Sequence, residues 1–70
     1  MHDPGNKALV VDDSLAIRIF LRRALARLGY RTTEADSGYS ALSVLESATI
    51  LPDVMLVDWN TLHWIRWRAN

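Results

Sequence analysis

Two short apolar runs, each closed by acid, constrain this chain more than anything else in it. Ala8-Leu9-Val10-Val11 runs into Asp12 and Asp13, and Val54-Met55-Leu56-Val57 runs into Asp58. Continuous Val/Leu runs of this length mark strands buried on both faces, as in parallel sheets. A third extended segment, Tyr30–Ala35, lies midway, so that Leu9, Thr32 and Met55 are evenly spaced along the chain. Each interval holds one crossover helix, which makes the chain a βαβαβ run of parallel strands with right-handed connections. In open α/β sheets ligands bind outside the carboxyl ends of the strands, and there the three acids fall. Carboxylates gathered together repel one another unless a hard cation joins them. Asp12, Asp13 and Asp58 are therefore candidate Mg²⁺ ligands.

The remaining elements follow from local signals. The first strand is expected over Ala8–Asp12 and the third over Val54–Asp58. Ser14 is the expected N-cap of a helix that runs to about Leu28 and is ended by Gly29. Ile17, Phe20, Leu21, Ala24, Leu25 and Leu28 recur at the spacing of one packed face. Arg18, Arg22, Arg23 and Arg27 are read as solvated surface. The second strand, Tyr30–Ala35, carries polar residues that suit an edge. Asp36-Ser37-Gly38 is a capped turn, followed by a helix from about Tyr39 to Ser47 with Ala41, Leu42, Val44, Leu45 and Ala48 turned inward. Leu51-Pro52-Asp53 breaks the chain before the third strand.

Composition excludes several classes. Seventy residues make at most one small domain, marginal in stability because so short a chain buries a modest share of its surface. Half of the residues are hydrophobic and the formal net charge is zero, so nothing drives the chain as a whole toward nucleic acid or a membrane. There is no cysteine, hence no disulfide and no thiolate metal site, in keeping with a cytoplasmic location. No apolar run approaches the roughly 18 residues of a membrane span, and Met1–Lys7 reads as a polar arm, not a signal peptide. Each acid has a plain alternative: Asp13 could cap a helix, Asp12 could be a solvated strand end, and Asp58 a turn residue. Their joint placement favours the metal site. His2 and His63 have no partner spacing and are assigned to no metal.

Taken in order, Leu9-Val10-Val11-Asp12-Asp13-Ser14, Arg18, Leu28-Gly29-Tyr30, Ser37-Gly38, Ala41-Leu42 and Pro52-Asp53-Val54-Met55-Leu56-Val57-Asp58-Trp59-Asn60 resemble the receiver domain of bacterial response regulators. The resemblance covers residues 8–60. It implies a flavodoxin-like, doubly wound parallel sheet cut to its first three strands, in the order 2-1-3. It also implies roles. Asp58 matches the phosphoacceptor, which takes a phosphoryl group from a sensor histidine kinase or a phosphotransfer protein. Asp13 matches a direct Mg²⁺ ligand, Asp12 an acid acting mainly through water, and Asn60 the donor of a backbone carbonyl to the metal. A phosphoacceptor of this kind is not a turnover enzyme; at most it phosphorylates and dephosphorylates itself.

Beyond Asn60 the resemblance stops. The family's Met-Pro and its acidic-glycine turn are missing from Thr61–Asn70, which instead holds two of the three tryptophans. The hydroxyl of a fourth strand and the lysine of a fifth are also missing, which puts phosphotransfer and its output switch in question. Truncation, a change of reading frame or an engineered end would each account for this tail. Alternatively it covers the third strand, or its Trp64, Trp67 and Arg68, spaced as on a helix, meet a membrane surface or nucleic acid. A strand at 54–58 without its neighbour would present an apolar edge, and the first helix an apolar flank. The alternative function is thus a non-phosphorylatable fragment that binds itself or a partner, with a homodimer through residues 54–58.

Overall fold

The computed structural model describes residues 6–58. Its elements are β1 (Lys7–Val11), α1 (Leu15–Arg27), β2 (Arg31–Ala35), α2 (Gly38–Ser47) and β3 (Val54–Val57). The three strands form one parallel sheet in the order β2-β1-β3. This is the expected βαβαβ arrangement, a flavodoxin-like sheet with β2 at an edge. Strand limits differ from the sequence reading by one residue. Asp12 and Asp58 fall just past their strands, although their N–H groups still donate to Ala35 O at 3.1 Å and Val11 O at 2.9 Å. The N–H of Tyr30 is spent on closing α1, so β2 starts at Arg31.

The central strand carries the core. Ala8, Leu9, Val10 and Val11 are all at most 2% exposed, and a fully buried Val or Leu side chain contributes on the order of 1.5–3 kcal/mol. Alternation along β1 divides the core between two faces. Leu9 and Val11 pack with Ala35, Ala41, Val44, Leu45 and Val57 on the α2 side. Ala8 and Val10 pack with Leu25, Leu21, Tyr30 and Leu56 on the α1 side. Opposite faces are expected here, because the step from β1 to β2 and the step from β2 to β3 run in opposite directions across the sheet. Connections of one hand then place their helices on opposite sides.

Both helices begin on serine. The Ser14 hydroxyl accepts from Ile17 N at 3.3 Å, and the Ser37 hydroxyl accepts from Ser40 N at 3.1 Å. At the far end of α1, Gly29 N donates to Ala26 O and Tyr30 N to Leu25 O, both at 3.0 Å, a Schellman closure. The turn requires φ of +90° at Gly29, a conformation that costs other residues strain.

The expected face of α1 is only partly the packed one. Leu25 is buried and Leu21 half-buried, whereas Ile17, Phe20 and Leu28 are 44%, 67% and 71% exposed. The sheet touches a narrower stripe than the apolar periodicity marks. Two arginines read as solvated surface instead reach β2. Arg18 and Arg22 both pair with Glu34, and only Arg22 is largely exposed. No helix among the described residues is long and apolar enough to cross a membrane. Trp59, Asn60 and the tail 61–70 lie outside the described residues, as do expectations placed on them.

A candidate phosphoacceptor edge

The carboxyl edge of the sheet is built by register. Val11 pairs with Ala35 on one side and Val57 on the other. The next residue of each strand, Asp12, Asp36 and Asp58, therefore emerges at one level. Neighbouring strands lie about 4.8 Å apart, so register alone brings the backbones of Asp12 and Asp58 close together. Asp13 follows in the turn that leads into α1.

Asp12 is 8% exposed and heavily engaged. Its N–H lies on Ala35 O, its Oδ1 accepts from Ser14 N at 2.8 Å, and its carbonyl accepts from Arg18 Nη1 at 2.7 Å. Asp13 is exposed and Asp58 half-buried. Among the described residues no group of three or more His, Cys, Asp or Glu side chains lies close enough to hold a metal ion. The topology thus gathers the three expected acids at one edge without converging their side chains into a ready cage. As a donor set they suit a hard cation, being all oxygen, and Mg²⁺ uses few protein ligands and keeps its waters. Asn60, the expected carbonyl donor, is outside the described residues.

A second polar cluster adjoins this edge. Arg18 Nε lies 3.0 Å from Glu34 Oε1, and Arg22 Nη1 lies 2.9 Å from Glu34 Oε2. Ser40 Oγ donates to Asp36 Oδ1 at 2.7 Å, which holds that carboxyl below the usual aspartate range, with lesser help from its own backbone, Ser37 and the charge of Arg18. Arg18, Glu34, Ala35, Asp36 and Ser40 line an open hollow of about 260 Å³. Sequence reasoning passed over Arg18, Arg22 and Glu34 as site neighbours. Their pairing joins residues remote in the chain, so no local spacing announces it.

Comparison with known proteins finds similar chains. The chain is 40% identical over 55 residues to the chemotaxis protein CheY of Pseudomonas aeruginosa, covering 77% of this chain and 43% of that protein. It is 38% identical over 54 residues to the sporulation initiation phosphotransferase F of Bacillus subtilis, covering 77% and 42%. Against the chemotaxis protein CheY1 of Helicobacter pylori it is 42% identical over 55 residues, covering 77% and 44%. The chain thus spans a little over two-fifths of the length of these curated relatives. No family model matches it, and no solved structure matches significantly. With the β2-β1-β3 order, these similarities show that the chain resembles the CheY-like receiver domains of bacterial response regulators.

Proposed function

We propose that the chain acts in phosphorelay signalling, with Asp58 as the phosphoacceptor. A carboxylate oxygen of Asp58 attacks the phosphorus of a phosphohistidine on a sensor kinase or phosphotransfer protein. The P–O bond forms as the P–N bond breaks, and the imidazole leaves with the electron pair. Asp12, Asp13, Asp58 and the Asn60 carbonyl would hold Mg²⁺, which when bound neutralises charge on the phosphoryl oxygens. The chain's own contribution is positioning, since little covalent chemistry is left for the protein to do. This reading makes the chain a cytoplasmic phosphoacceptor and not a turnover enzyme.

One observation carries the reading: Asp58 follows Val57 exactly where Asp12 follows Val11 in the paired register, with Asp58 N on Val11 O at 2.9 Å. Mass spectrometry after incubation with acetyl phosphate and Mg²⁺ tests it. The expected result is a single phosphoryl adduct that EDTA prevents and Asp58→Asn abolishes. An adduct that persists in Asp58→Asn, or none at all in the wild-type chain, would overturn it.

A second reading, self-association, rests on a different observation. Among the described residues β3 pairs only with β1, Met55 on it is 38% exposed, and α1 carries exposed Ile17, Phe20 and Leu28. Apolar edges and flanks of this kind favour pairing with a second chain. Sedimentation over a concentration series decides it, and a monomer at every concentration would rule it out.

A further inference from the structure

We propose that Arg18 is a positioning residue for the acidic turn: its guanidinium holds the Asp12 peptide and so presents Asp12 and Asp13 at the sheet edge. The part of this proposal that concerns a cation rests on the function proposed above.

The geometry is a closed ring of contacts around the turn. Asp12 N is fixed on β2 through Ala35 O. Asp12 Oδ1 accepts from Ser14 N, Ser14 O accepts from Arg18 N at 3.0 Å, and the Arg18 side chain returns to Asp12 O. Asp13 sits inside this ring with both chain neighbours tied down, so its backbone is held although its side chain is exposed. The closing bond, at 2.7 Å, is the short charge-assisted kind.

The fork that makes this bond is itself held. Arg18 Nε is engaged by Glu34 Oε1, and the other oxygen of Glu34 is engaged by Arg22. The Arg18 side chain is only 15% exposed. A planar guanidinium can serve a carbonyl and a carboxylate in two fixed directions at once, which a lysine ammonium cannot reproduce. β2 and α1 thereby locate a turn that belongs to neither, and a cation arriving there does not have to order it.

Charge and position make opposite forecasts for this residue. As a bare positive charge beside the acids, Arg18 weakens cation binding, and its removal would tighten it. As a positioning residue it strengthens binding. Loss of an outer-shell partner typically weakens a metal site by roughly tenfold or more.

The test compares wild type, Arg18→Met, Arg18→Lys and Glu34→Gln in the full chain, by amide hydrogen exchange without metal and by Mg²⁺ titration followed in ¹⁵N–¹H spectra. Expected in Arg18→Met is exchange roughly tenfold faster at Ser14 N, unchanged protection of the β1 amides, and Mg²⁺ affinity lower by roughly tenfold. Arg18→Lys should follow Arg18→Met in direction and Glu34→Gln should fall between it and wild type. Unchanged exchange at Ser14, a uniform loss of protection across β1, or tighter Mg²⁺ binding in Arg18→Met would each overturn the proposal. Should Arg18→Met fail to fold, Arg18→Lys decides the same points. A wild-type chain that ignores Mg²⁺ would sink the phosphoacceptor reading alone, because exchange at Ser14 still decides whether the turn is held.

Discussion

Asp36 and Ser40 show how one hydroxyl can set the titration of a carboxyl that burial does not protect. The Ser40 hydroxyl donates to Asp36 Oδ1 and favours the charged form, so the folded chain holds this carboxyl below its ordinary range. For a lowered acid the linked stability is present above the unfolded aspartate value and is lost as pH falls through the folded one. The group is exposed, so the effect on stability is small and the clean readout is the titration itself. A ¹³C carboxyl titration should give a midpoint for Asp36 below that of a free aspartate, and Ser40→Ala should move it up. The placement of Asp12 and Asp58 at one sheet edge was legible, because each directly follows an apolar strand. The engagement of Asp12 by Arg18 was not, since it depends on where α1 crosses the edge.

The closure of α1 and the packing of β2 are where single substitutions should speak most clearly about the elements. At Gly29 a Cβ would meet Asn6 Nδ2 at 3.6 Å, an ordinary contact, so space is not the obstacle. The obstacle is φ of +90°, and Gly29→Ala is expected to destabilise by about 1–2 kcal/mol in urea unfolding. Thr32 presents the opposite case. Its Oγ1 is buried with no hydrogen-bond partner among the described residues, on a strand whose backbone is already paired with β1. Thr32→Val keeps the shape and removes the orphan hydroxyl, so it is expected to stabilise by about 1 kcal/mol in the same measurement. Both helix starts and the glycine stop were readable from the chain because caps are encoded within three or four residues.

At the scale of the whole molecule, the sheet of the described residues has two unlike edges. β2 offers Arg31, Thr32, Thr33 and Glu34, the polar and charged composition that discourages edge pairing, whereas β3 is Val54-Met55-Leu56-Val57 throughout. The outward stripe of α1 adds Phe20 and Leu28 at 67% and 71% exposure. If association occurs through that flank, Phe20→Ser should lower it in sedimentation while changing unfolding free energy by about 0.5 kcal/mol or less, as for other exposed positions. Equal association in wild type and Phe20→Ser would direct attention to β3 instead. Among the described residues the core is small and centred on one strand, so such surfaces matter more here than in a larger domain.

The chain by itself determined the succession of strands and helices, the parallel sense of the strands, the caps and the acids at one edge. Each of these depends on a periodicity or a cap that a few neighbouring residues encode. Only the tertiary structure decided which part of α1 meets the sheet and which partners its arginines take. Leu21 and Leu25 pack while Phe20 and Leu28 do not, and Arg18 and Arg22 both pair with Glu34. The apolar stripe of α1 is wider than one sheet can cover, and the crossing of helix over strand, which joins residues far apart in sequence, chooses the part that is buried.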